Sequence, residues 1–174
     1  MKTDNIEKYL NSFGKQVVAQ SKTTLNYKKK GSTKLENSIT FKVVTEADGF
    51  SVQFYMDSYG TFVDKGVSGT KTKRTFKDYK SKTISSPYKY TTKQPPSRVL
   101  DKWIVKKGIA PRDEKGRFIS RKSISFLIAR SIKRNGIQGI SFFQKPLGLG
   151  LKQFGKDLLE NVKEDIIEGL TTVN

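Results

Sequence analysis

Between Ile39 and Met56 the apolar residues fall on every second position, and this stretch constrains the fold more than any other in the chain. Ile39, Phe41 and Val43 set the spacing, Ala47-Asp48-Gly49 interrupts it, and Phe50, Val52, Phe54 and Met56 resume it. Successive strand side chains point to opposite faces, so this period predicts an antiparallel hairpin with one buried face.

Helical spacing flanks the hairpin. Ile6, Leu10, Phe13, Val17 and Leu25 predict a first helix over residues 4 to about 26. Asp4 and Glu7 form its capping box, Lys28-Lys29-Lys30 suits the negative end of its dipole, and Gly31 ends it. Near the other terminus Leu151, Phe154, Leu158, Val162, Ile166 and Leu170 predict an amphipathic helix beginning after Pro146, with Gly148-Leu149-Gly150 easing the chain into it. Two shorter helices are expected between them. One spans about 97–107, capped by Ser97, with Leu100, Trp103 and Ile104 as its stripe and Gly108 at its end. The other spans about 121–135, with Ile124, Leu127, Ile128 and Ile132 on one face and Gly136 beyond it. A tight turn at Lys115-Gly116 separates the two. Residues 67–96 lack periodicity and predict an extended arm with short strands around Tyr79 and Tyr88–Tyr90.

The chain has no cysteine and no histidine, which removes disulfides, thiolate and imidazole metal sites, and any Cys or His nucleophile or base. No cofactor is expected. No run of eighteen apolar residues is present, so no membrane span is expected, and the N-terminus lacks the apolar core of a secretory signal. A net charge of +18 calls for an acidic partner. From Lys65 to Val99 ten Lys/Arg face one acid, and from Leu100 to Arg134 eleven face three.

Within that basic middle Lys71, Lys73, Arg74, Lys77, Lys80, Lys82, Lys89 and Lys93 alternate with Phe76, Tyr79, Tyr88 and Tyr90. Cations paired with stacking rings suit single-stranded nucleic acid. A lysine-rich arm that is merely soluble, or that docks on an acidic protein surface, has the same composition. The predominance of lysine favours a diffuse field over bidentate base readout. Arg112, Arg117, Arg121 and Lys122 add candidate contacts, in a segment that otherwise reads as a charged surface turn and lacks the spacing of a nucleotide loop. Asp64, Asp101, Asp113 and Glu114 read as local partners for lysines, and no catalytic constellation assembles.

Three short motifs in a fixed order remain. They are Ser32-Thr33-Lys34-Leu35-Glu36-Asn37-Ser38-Ile39, then Tyr59-Gly60-Thr61-Phe62-Val63-Asp64-Lys65-Gly66, then Phe142-Phe143-Gln144-Lys145-Pro146 before the last helix. In this order the chain resembles the tailed-phage neck and tail-completion family, the group that includes the lambda-type minor tail protein Z. The residues that carry the resemblance are Leu35, Ser38, Ile39, Tyr59, Phe62, Val63, Asp64, Gly66, Phe142, Phe143 and Pro146. Val67 follows Gly66 where the family often has threonine, and residues 67–141 form a far longer insert than compact members carry. The resemblance implies an α+β fold, with a small antiparallel sheet packed against the first and last helices. At 174 residues the chain is sized for one domain over 1–174, in which residues 1–66 and 142–174 are the core and 67–141 a basic, partly helical insertion. The implied role is structural: a homo-oligomeric ring in the virion, at the junction of portal or connector and tail. The insert is then expected to meet an acidic surface of a neighbouring subunit or ring, with transient DNA passage or contact as a further partner. The alternative is a nucleic-acid-binding module using the Lys/Tyr-rich middle.

Overall fold

The computed structural model describes residues 4–28, 33–46 and 49–171. In chain order these form α1 (Asp4–Lys28), α2 (Thr33–Ser38), β1 (Thr40–Glu46), β2 (Gly49–Tyr55), α3 (Gly60–Lys65), β3 (Thr75–Lys77) and β4 (Thr83–Ser85). Then come α4 (Ser97–Lys106), α5 (Arg121–Asn135) and α6 (Gln144–Thr171). The fold is α+β, with two two-stranded sheets, β1-β2 and β3-β4, and helices towards both ends. Its contacts separate two compact units: Met1–Asp64 with Lys77–Ile84 and Ile140–Asn174, and Lys65–Phe76 with Ser85–Gly139.

In the first unit the alternating stretch forms the expected antiparallel hairpin. Phe41 stands opposite Phe54 and Val43 opposite Val52, so the apolar set shares one face. That face meets α1, whose Ile6, Leu10, Phe13 and Val17 are all buried. The Phe13 ring lies 6.3 Å from Phe54 and 5.3 Å from Phe154 of α6, so one residue of α1 contacts both hairpin and terminal helix. Close approach is built in. A Cβ on Gly14 would fall 2.2 Å from the Phe41 ring, and one on Gly150 would fall 2.7 Å from the Phe13 ring.

In the second unit α4 packs on α5 around Ile104, Ile124 and Ala129. The loop between them is folded by Asp113, whose Oδ1 accepts from the Lys115 and Arg117 amides at 3.0 and 2.8 Å. Ser120 caps α5 by accepting from the Ser123 amide at 3.2 Å, and Gly136, at φ 70°, ends it.

Several local expectations are corrected. Residues 33–38 form a helical turn, with the strand opening only at Thr40, and residues 60–65 are helical as well. Pro96, not Ser97, is the N-cap of α4, with no side-chain cap, and Ser97 is its first helical residue. Leu127 is exposed: the inward face of α5 is set by Ile124, Ser125 and Ala129, with Ile128 and Ile132 half-buried at its margin. Trp103 and Leu151 are also partly exposed, at 44% and 40%, so their stripes are narrower than the spacing implied. The last helix begins at Gln144, before Pro146, because proline in a first turn has no amide partner to lose. Gly148 and Gly150 therefore lie inside α6 as packing residues. Tyr79 sits in the turn between β3 and β4, while Lys89 bridges Ser68 as an isolated pair. The lysine run beyond Lys28, Gly31, Ser32, the Ala47-Asp48 turn and the side chains of Asp4, Ile166 and Leu170 lie outside the described residues.

Candidate functional site

The three motifs meet in the first unit. Leu25, Leu35, Ile39 and Phe142 are buried together, and Tyr59, Val63, Met56, Ile140 and Phe143 pack against them. Each motif thus supplies at least one side chain to a single cluster, although the segments lie far apart in sequence. Full burial of each such side chain contributes about 1.5–3 kcal/mol. Phe62, by contrast, is exposed. Ser38 ties the first motif to the end of the hairpin: its hydroxyl donates to the Leu35 carbonyl at 2.8 Å and accepts from the Asp57 amide at 3.0 Å.

Asp64 joins the second motif to the third. It is only 2% exposed, and its Oδ1 accepts from the Phe143 amide at 2.9 Å and the Gln144 amide at 3.5 Å. Those amides open α6, where the first N–H groups have no partner within the helix and the dipole favours a negative charge. Main-chain bonds hold the carboxylate there. Ile140 donates to the Val63 carbonyl at 3.1 Å, and Ser141 to the Asp64 carbonyl at 2.9 Å. Asp64 is therefore a tertiary helix cap, a role that the expectation drawn from its basic surroundings did not include. Pro146 is buried in the first turn of the helix so capped.

The charge segregates with the units. The second unit holds 18 Lys/Arg against 3 Asp/Glu, hence +15, and the first holds 16 against 13, hence +3. The second unit's ion pairs, Arg117–Asp113 at 3.0 Å and Arg121–Asp101 at 4.0 Å, are largely exposed and contribute little.

The twelve candidate cations are dispersed. Lys71, Lys73 and Lys89 line one concavity of about 500 Å³, together with Ser68, Tyr90 and Thr91. Arg121 and Lys122 line another, of about 420 Å³, with Arg98 and Asp101. Arg74 is used internally, donating from Nε to the Asn135 carbonyl at 2.7 Å. Arg112 lies over the Phe118 ring at 4.1 Å, and Arg117 pairs with Asp113. Lys80 and Lys82 belong to the β3–β4 turn, where Lys80 lies over Tyr79 and the Lys82 amide donates to Asp78 at 2.7 Å. Lys77 and Lys93 are exposed and line neither concavity.

Folding adds cations the sequence did not group with these. A concavity of about 460 Å³ shares Thr70 and Lys71 with the first and adds Phe126, Arg130, Lys133 and Arg134 of α5. Backbone bonds join its walls: the Thr70 amide donates to the Lys133 carbonyl, and the Lys71 amide to the Arg134 carbonyl, both at 2.9 Å. These bonds satisfy carbonyls at the end of α5 that have no partner within the helix. Gly66 and Gly136, at φ 74° and 70°, permit the crossing, and a Cβ on Gly66 would fall 2.4 Å from the Gly139 amide nitrogen. No side-chain pattern announces such a pairing. Among the described residues no helix is long and apolar enough to cross a membrane. Comparisons with protein-family models, with curated proteins and with solved structures find no match to this chain.

Proposed function

We propose that this chain is a structural protein of the phage neck, of the tail-completion or connector kind, working as a homo-oligomeric ring between portal or head and tail. The observation that carries the reading is the convergence of the three motif segments on one buried cluster, with Asp64 of the second capping the helix that follows the third. Motifs that build a common scaffold fit an assembly part better than a reaction centre, and in this reading the chain is not an enzyme. Exposed apolar side chains, among them Val99 and Trp103 of α4 and Leu149 and Leu151 of α6, are surfaces that ring closure would cover. The protein is then made in the host cytoplasm and ends at the head–tail junction of the virion.

Antibody labelling of intact particles of the phage that encodes the chain tests this by electron microscopy. Label confined to the junction between head and tail is expected. Label on the capsid surface or the tail tip, or particles that carry none of the chain, would overturn the proposal.

A further inference from the structure

The two adjoining concavities of the second unit form one basic groove. It runs from Lys73 and Lys89 through the shared Lys71 to Arg130, Lys133 and Arg134, and no acidic residue among those described lines it. Its walls are held by main chain. Besides the amides of Thr70 and Lys71 on the end of α5, Ser68 donates to the Tyr88 carbonyl and Tyr90 to the Ser68 carbonyl, both at 2.8 Å. Lys133 gives one donor to the Thr92 carbonyl at 2.6 Å, which fixes its ammonium at the rim. The cations thus stand on a built backbone frame and not on a loose arm.

We infer that this groove binds the phosphodiester backbone of a nucleic acid. Six cations spread along two joined concavities match a ligand with charge repeated along its length, whereas a single carboxylate cluster would need them at one point. The first concavity carries lysine only, point charges that suit a diffuse polyanion field more than bidentate base readout. Thr70, Ser85 and Thr91 line the same wall with hydroxyls that can donate to phosphate. Tyr90 lines the first concavity and the half-exposed Phe126 the second, offering rings on which unpaired bases stack. Burial raises the Tyr90 pKa, so its phenol stays neutral beside an anionic ligand. These features favour an unpaired strand over a duplex, and backbone contact over sequence readout.

The inference goes beyond the neck role and can fail separately from it. The test is binding of the full chain to a labelled mixed-sequence 20-nucleotide strand and to the matching duplex, by fluorescence anisotropy across a salt series, with poly-glutamate as the acidic-protein probe. Six contacts to a single strand give a log-affinity slope against log salt of about −4. Lys71→Glu/Lys73→Glu/Lys89→Glu is expected to weaken binding at least about tenfold and to flatten that slope by about two. Lys15→Glu/Lys42→Glu/Lys152→Glu, exposed positions of the first unit with the same change of charge, is expected to cost less than about threefold. Should the groove triple lose its fold, Lys73→Gln and Lys89→Gln carry the test, each flattening the slope by about 0.7. Single-strand binding tighter than duplex binding is the expected order. Equal losses in the two triple variants would reduce the groove to a diffuse field and overturn the assignment. So would poly-glutamate binding as tightly as the oligonucleotide, which would make the partner an acidic protein surface.

Discussion

Asp64 concentrates at one residue what the second motif does. A carboxylate buried this deeply is costly unless its oxygens are satisfied, and the open amides of a helix N-terminus are partners that also favour its charge. Asp64→Ala removes the acceptor and leaves the amides that open α6 without it, so a loss of about 2–3 kcal/mol is expected. Asp64→Asn keeps an acceptor without the charge and is expected to cost about 1–2 kcal/mol. Urea midpoints of the full chain measure both, with Glu114→Ala as an exposed control expected to change stability by less than about 0.5 kcal/mol. An Asp64→Ala midpoint equal to that of the control would contradict the capping role.

Among the elements, α6 shows how packing overrides propensity. A Cβ on Gly148 would fall 1.9 Å from the Tyr79 carbonyl oxygen, a backbone atom that cannot swing aside. Gly155, on the same helix, is exposed, and a Cβ there would meet nothing within 4 Å. Gly148→Ala is therefore expected to lower stability by about 1–3 kcal/mol despite the better helix former. Gly155→Ala is expected to raise it by about 0.5–1 kcal/mol. Thermal unfolding of the two variants checks the opposite signs. The hairpin, α1, α4, α5 and the long final helix were legible in the sequence because each carries an apolar period, although burial follows only part of that period in α5 and α6. Helix α3 and the helical turn at 33–38 were not, since six residues are too few to display a period. The Gly148-Leu149-Gly150 stretch misled for a different reason. Glycine signals a loop when read locally, and only the approach of the β3–β4 turn reveals it as a packing residue.

For the whole molecule, the division of charge is the fact to explain. One unit is nearly balanced while the other carries +15 of the chain's +18, a self-repulsion that an anionic partner relieves. Linear charge sums located the basic middle but could not group Lys71 with Arg130, Lys133 and Arg134. The bonds that join those segments are main-chain ones, from the Thr70 and Lys71 amides to carbonyls at the end of α5. One protein would then make two kinds of contact: apolar ring contacts, which salt does not weaken, and phosphate contacts, which salt strips away. The mass of the full chain in solution with a labelled oligonucleotide, compared at about 0.1 M and about 0.6 M salt, separates the two most directly. The expected result is an oligomer whose mass is the same at both salts and which loses its oligonucleotide at the higher one. A monomer at both salts, or an oligomer that falls apart together with the release of oligonucleotide, would contradict the account.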